Sequence, residues 1–556
     1  MGEDAKPRNI LSVSVFKITV GLHLLPHAQT NAPEGGCPLK RLLLFATVAF
    51  ASITAACGGG GSTPPPPPPV GNFSNASLKG QYAFSMSGED LNQAFIARVG
   101  SFFADGAGNI TQGLEDVNSV AGVNQVSFTG GNYAIQPNGR GTLTLSNLVS
   151  SLQLSITLIS PNKGFMIQTD LNATSSGNFN LQTSASFTKT AVNGNYVFDF
   201  SGVNGSGAPT SIIGQVKADG AGNVTGGTTD VSSGTTGNSG AQPVPATPYQ
   251  LDPTNGNGAT FGRGTATISG ISYVFYIVDA TRIKFMGISI GALLGDAVLQ
   301  NGTIPTTTSA FSGNFAFLIG GSSVLGTMGP LTRAGRFTMD GSGNLNTIFL
   351  DDNNFGSRHS FAPSNNPTAA NYAIDTTSTV VGSGRGTLTF TESGFNPFSF
   401  VFYLVSPTQA VIQDTSTGVV ADGTMLAQAA GPISISPTAN FAFNWSGINL
   451  GSSNNIQFEE DFVGQYTPTV AASGFNGAMD FTELGSTNKN LFTDIPITVS
   501  ISINGDGTGV NGYQVVTGNS PSTTFAYHAY LVDSNTILLI GFDANHVIAG
   551  IVSAQP

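Results

Sequence analysis

The sequence predicts an all-β protein built of four tandem small antiparallel domains, each an eight-stranded up-and-down barrel. From residue 78 onward one pattern returns four times, and no stretch carries the 3.6-residue period of an amphipathic helix. The gaps between apolar runs are short and turn-like, so consecutive strands are expected to pair with each other. An immunoglobulin-like sandwich is the alternative architecture, but it would need longer crossovers than the sequence offers.

Each copy opens on an alternating strand: Tyr82, Phe84, Met86; Tyr196, Phe198, Phe200; Phe315, Phe317, Ile319; Phe441, Phe443, Trp445. The residues between are mostly small or polar, which is the period of a strand with one buried face. A run G-x-[FV]-x-[AM]-D-G-x-G-N follows at 100–109, 214–223 and 335–344. Asp-Gly between alternating strands marks a hairpin, because glycine supplies positive φ without steric cost. A Gly-Arg-Gly-Thr turn comes next, around Arg140, Arg263 and Arg385, and then a late strand bearing Thr157, Tyr276, Tyr403 or Tyr530. Every copy closes on a Gly and a Gln five residues apart: Gly177 and Gln182, Gly295 and Gln300, Gly423 and Gln428, Gly550 and Gln555. The fourth copy departs most, with residues 472–476 where the Asp-Gly turn should stand and 504–509 in place of Gly-Arg-Gly. In the first copy the expected strands are 80–87, 94–104, 109–117, 124–136, 141–147, 152–160, 164–170 and 178–186. The domain boundaries read as 77–187, 188–305, 306–431 and 432–556. Four such units in a row would extend roughly 100 Å or more, at a radius of gyration near 13 Å per ~100 residues.

Upstream lies a different kind of segment. Lys40 and Arg41 precede a 15-residue apolar run, 42–56, too short for the roughly 20 residues of a spanning helix. It ends Ile53-Thr54-Ala55-Ala56-Cys57. This stretch resembles the lipobox of bacterial lipoproteins, which implies cleavage before Cys57 and lipid on its sulfur. Residues 1–56 are then an over-called start plus signal peptide, with translation expected near Lys40, and 57–76 form a Gly/Pro-rich tether. Prolines 64–69 add roughly 19 Å of stiff spacer at ~3.1 Å per residue. With its lipobox, tether and recurring turns, the chain resembles bacterial surface lipoproteins of tandem Gly-x-Tyr/Phe β-repeats. The resemblance implies a location, the bacterial cell envelope, and carries no activity. The opening Gly-x-Tyr strand is also loosely similar to the first strand of lipocalin and avidin-type barrels.

Composition narrows the function. The chain has two cysteines, and Cys37 precedes the cut, so no disulfide, cysteine metal site or cysteine nucleophile is expected after it. The part after Ala56 holds 14 basic and 28 acidic side chains, which argues against nucleic acid as a partner. Gly287–Gly291 matches G-x-S-x-G, but no strand-to-helix turn follows, as a nucleophile elbow requires. The histidines His359, His528 and His546 lack zinc-ligand spacing and read as structural. Counting Asp105 as position one, Asp116 falls at position twelve, as in a calcium loop, and Asp219/Asp230 and Asp340/Asp351 repeat the spacing. Of the residues between, Asn109 and Thr111 are the best further oxygen donors in the first copy, and a plain β-turn explains the motif better. No cofactor is expected. The repeated Arg is expected to pair with Asp116, Asp230 or Asp351 in its own unit, at the ~0–1 kcal/mol of an exposed pair. The function expected is a lipid-anchored, non-enzymatic β-domain array for binding or structural contact, its partner a surface glycan or protein. A carrier holding a small apolar ligand inside the barrels comes second. A hydrolytic enzyme using the divergent fourth unit comes third.

Overall fold

The computed structural model describes residues 71–556 apart from 290, 327, 363–367, 378–381, 452–457, 470–473, 486–487 and 517–523. Cys57 and the tether prolines, with Ala472 in the fourth copy, lie outside the described residues.

Barrel I runs through Lys79–Asp90, Phe95–Asp105, Asn109–Ser119, Gly122–Phe128 with Gly130–Ile135, Arg140–Ser146, Ser151–Ser160, Lys163–Gln168 and Ala173–Leu181. The fourth strand is broken at Thr129, and both its pieces ladder onto Asn109–Ser119. Each strand pairs antiparallel with its sequence neighbour, and Lys79–Asp90 pairs with both Phe95–Asp105 and Ala173–Leu181, which closes the barrel. Barrel II repeats this from Asn193–Val203 to Ala292–Leu299. Barrel III, from Ser312–Ser323 to Val419–Ala427, is an open nine-stranded sheet curled on itself, with a single Asn344–Asn371 bridge linking Thr368–Ile374 to the start of Leu345–Asn354. Barrel IV, Phe441–Asn449 to His546–Ala554, is a closed eight-stranded barrel. Hairpin succession with no crossover excludes the sandwich.

The expected strands match within a few residues except the last of barrel I. It runs Ala173–Leu181 rather than 178–186, and Ser184–Ser186 form a 3-10 turn. The run Ala173-Thr-Ser-Ser-Gly177 has no large apolar side chain to announce it. It can be this plain because Gly177 lies against the first strand, where a Cβ would sit 1.9 Å from the Ser85 carbonyl oxygen.

The aromatics of each opening strand point into their own barrel, with one core per barrel. Gly100, Gly214, Gly335 and Gly464 stand opposite the middle aromatic of each opening strand, where a Cβ would meet its ring within 3 Å. The residues between those aromatics correct the expectation of a half-buried strand. Ala83, Ser85 and Ser87 are as buried as Tyr82, Phe84 and Met86. They are small because another barrel presses on them. Apolar side chains on the outside of barrel I (Ala83, Val99, Leu114) pack with Val274, Tyr276 and Leu294 of barrel II. Barrels II and III share a smaller cluster, and barrels III, IV and I share a third.

The four barrels therefore do not stand in a row. Each sets its first two strands against the last three of its successor, and barrel IV sets Phe441–Asn449 and Phe458–Pro468 against the last three strands of barrel I in the same way. A head-to-tail contact that rotates by about a quarter turn closes after four steps. The result is a ring in which three joints carry a chain connection and the joint from IV to I carries none.

Candidate functional site: the joints and the distal face

The closing Gln, the turn arginines and the second acid of each repeat are spent at the joints. At the entry end, where first strands begin, the closing Gln of each barrel donates through Nε2 to two carbonyls of the next. Gln182 reaches Phe261 and Ile277 (3.0 and 2.6 Å), and Gln300 reaches Ser383 and Leu404 (2.9 and 2.7 Å). Gln428 reaches Leu531 at 2.7 Å. Gln555 closes the ring on Asn138 and Leu158 of barrel I (3.0 and 2.6 Å). At the other, distal end, Asn118 donates to the Gly287 and Gly291 carbonyls (2.7 and 2.8 Å), and Asn353 to those of Gly541 and His546 (2.9 and 3.0 Å).

Between these stitches lie the repeated acids, and here the expected pairing within a unit is overturned. Asp116 of barrel I accepts two hydrogen bonds from Arg263 of barrel II (Nε and Nη2, both 2.8 Å) and one from the Tyr276 hydroxyl at 2.7 Å. Asp230 of barrel II accepts the same set from Arg385 and Tyr403 of barrel III, all at 2.7 Å. Asp351 of barrel III meets Tyr530 Oη (2.7 Å) and His528 Nδ1 (2.8 Å) of barrel IV. There the ladder puts Thr508 where the other copies have arginine, and buried His528 stacks on Phe542, 3.9 Å between centroids. Arg140 of barrel I turns to barrel IV, with Nη2 2.5 Å from Asp480 and Nη1 2.7 Å from Asp494. Burial, followed by the neighbouring carboxylate, pushes the Tyr276, Tyr403 and Tyr530 phenols far above their ordinary value, so they stay protonated donors. Asp480 escaped the sequence reading because the fourth copy lacks the Asp-Gly turn used as a ruler. Counting from Gly464, the glycine facing the opening-strand aromatic, places it level with Asp116.

The spacing of twelve does not bring its two acids together. Asp105 caps its own turn: Oδ1 accepts from the Ala107 and Asn109 amides (2.7 and 3.0 Å) and Oδ2 from the Asn109 side chain (2.7 Å). Asp219 and Asp340 repeat the arrangement with Asn223 and Asn344. Asp116 lies seven residues along the strand from Asn109, roughly 23 Å away at ~3.3 Å per residue. Among the described residues no group of three His, Cys, Asp or Glu could hold a metal ion. Ser289 of the G-x-S-x-G match sits in a hairpin turn, its hydroxyl accepting from the Ser272 amide at 3.0 Å. His359 is on an exposed strand against Phe395, and His546 bonds Asp543 at 2.8 Å. Burial opposes charge on His546, but Glu460 and Asp543 outweigh it and hold the imidazole up to about 9.

The gap inside barrel IV among Tyr466, Phe475 and Tyr527 holds about 10 Å³, room for no more than one water. The larger clefts, about 380 and 210 Å³, lie between barrels I and II and between II and III. The surface is uneven. Among the described residues the ten exposed large hydrophobics lie at the distal end: Leu91, Val120, Val123, Leu148, Val149 and Leu171 on barrel I, Leu325, Met328 and Phe395 on barrel III, and Leu491 on barrel IV. Leu148 and Val149 are 100% and 92% exposed. The entry end carries the Asp105, Asp219 and Asp340 turns and receives the N-terminal segment, where the Phe73 amide bonds Pro137 O at 3.1 Å.

No family model matches the chain, and no curated protein matches it. Among solved structures it is similar to transferrin binding protein B from serogroup B Neisseria meningitidis, at 10% identity over 71% of this chain and 84% of that one, with a TM-score of 0.18. A mutant transferrin binding protein B from Haemophilus parasuis gives 11% identity over 75% and 86%, also at 0.18. Scores this low carry no inference for this chain, whose architecture rests on its own ladders.

Proposed function

We propose that this chain is a lipid-anchored, non-enzymatic display ring of the bacterial cell envelope, held by Cys57 and meeting a surface glycan or protein through its distal face. The observation that carries the reading is the segregation of the ten exposed large hydrophobics among the described residues to the end opposite the incoming N-terminal segment. Isolated exposed aliphatics are ordinary, whereas a set confined to one face of a multi-barrel ring favours a contact surface. The gap of about 10 Å³ among Tyr466, Phe475 and Tyr527 inside barrel IV is too small for an apolar cargo.

Two measurements test it. The native chain should partition with membranes and incorporate labelled fatty acid, and Cys57→Ser should abolish both. The Cys57→Ser ring should bind discrete features on a glycan and matrix-protein array, and adding Leu148→Ser with Val149→Ser should reduce that binding at least about tenfold with an unchanged circular dichroism spectrum. An array without binding, or binding indifferent to the loop changes, overturns the distal-face reading and leaves the anchor to its own result.

A further inference from the structure

The joint from barrel IV to barrel I carries a pair of buried acids at positions where the other three joints have none. On the outer face of each second strand, two positions press on the next barrel. In barrels I, II and III they hold Phe95 and Ala97, Pro209 and Ser211, Pro330 and Thr332. In barrel IV the same two ladder positions, counted from Gly464, hold Glu459 and Asp461. Both acids are buried, Asp461 completely. Neither Asp461 carboxylate oxygen has a hydrogen-bond partner in good geometry among the described residues, and Ser446 is its cross-strand neighbour.

The charged groups around them are mostly of the same sign. Glu89, on the first strand of barrel I, faces Glu459. Asp170 lies on the adjoining turn of barrel I. Behind the strand, inside barrel IV, stand Glu460, Glu483, Asp543 and His546. The facing cation is Lys489 of barrel IV, and its ammonium is directed at the carbonyls of Gln168 (2.7 Å), Asp170 (2.8 Å) and Ala173 of barrel I. Burial drives the Asp461 carboxyl well upward, against Ser446 and Lys489, and burial with Asp461 and Glu89 drives Glu459 upward too. An ionised pair here would be desolvated charge of one sign at a boundary held only by non-covalent contacts.

We propose that this joint is a protonation-controlled gate: the ring is closed while Glu459 and Asp461 carry protons, and their ionisation parts barrel IV from barrel I. The sign follows from linkage. A carboxyl raised in the closed ring and ordinary in the open one favours closure fully below its ordinary value near 4, and the preference drains away as pH rises towards the raised value. The other joints, with Ala97, Ser211 and Thr332 at the Asp461 position, have no acid there to ionise. The proposal is independent of what the distal face binds.

The test uses the Cys57→Ser chain, otherwise complete, at pH 5.5 and 8.5. Hydrogen exchange, corrected for intrinsic rate, should show strands Ala173–Leu181 and Phe441–Asn449 losing protection at the higher pH by about tenfold or more relative to Asn193–Val203, while small-angle scattering shows an expanded particle. Glu459→Gln with Asp461→Asn should remove the difference. Asp461→Ala, which copies Ala97 of the first joint, serves as a second variant. Equal relative protection at both pH values in the parent, or the same pH-dependent loss in the variants, overturns the proposal.

Discussion

Replacing Asp116 by alanine measures what a joint is worth. Asp116 is 2% exposed and accepts three hydrogen bonds from barrel II, two from the Arg263 guanidinium at 2.8 Å and one from Tyr276 at 2.7 Å. Removing it leaves Arg263 with Asp252, at 2.6 Å, and the Gln125 amide oxygen, and the buried Tyr276 hydroxyl with no acceptor. Breaking one side of a buried pair costs about 3–5 kcal/mol, and an unmet buried hydroxyl about 1–3. The surviving Asp252 contact and the partial exposure of Arg263 argue for the lower end, about 3–4 kcal/mol. That is roughly 10²–10³-fold in the opening constant, at ~1.4 kcal/mol per tenfold. The assay is amide exchange at Thr183, whose N–H bonds Val278 O across this joint at 2.8 Å. The Asn301 amide, bonded to Val405 O at 2.9 Å across the next joint, is the internal control and should not change. A loss below about 1 kcal/mol at Thr183, the worth of an exposed pair, refutes the assignment of Asp116 to a buried joint.

Three further outcomes are expected. Gly177→Ala places a Cβ 1.9 Å from Ser85 O in the seam between first and last strands, and should cost at least about 1–3 kcal/mol, read as a lower urea midpoint. Gln555→Ala leaves the Asn138 and Leu158 carbonyls unmet and should weaken the ring-closing joint by about 1–3 kcal/mol, seen as faster exchange in Ser151–Ser160 with Asn193–Val203 unaffected. The Asp105 carboxyl, lowered to about 2 by the Asn109 side chain and the Asn109 and Ala107 amides, should titrate there by carboxyl-carbon NMR. Its folded value is depressed, so the support it gives the turn is present above about 4 and lost as pH falls towards 2. Calcium at millimolar concentration should leave that resonance unmoved, since the turn's own donors already occupy both oxygens.

The barrels were legible because their determinants are local. Alternating aromatics, Asp-Gly turns and the absence of a helical period each act within a dozen residues, and together they specify hairpins in succession. The polar marks were visible but their addresses were not. In a repeat, a contact from one unit to the next leaves the same periodic signature as a contact inside a unit, so Arg263 could be assigned equally to Asp230 or to Asp116. The last strand of barrel I was misplaced because packing against Ser85, not apolar side chains, holds Ala173–Gly177. Asp480, Glu459 and Asp461 went unread because the fourth copy lost the turn that fixes its register.

The sequence by itself determined four all-β units, their closing glycines and glutamines, and an upstream Cys57 preceded by a lipobox-like run. Only the tertiary structure decided that the units form a ring, that Asp116, Asp230, Asp351 and Asp480 each pair with a neighbouring barrel, and that the exposed aliphatics share one face. Strand formation depends on side-chain period and turn chemistry, which are written along the chain. Ring closure depends on the angle between two faces of one barrel, the first two strands and the last three, and that angle exists only once the barrel has closed.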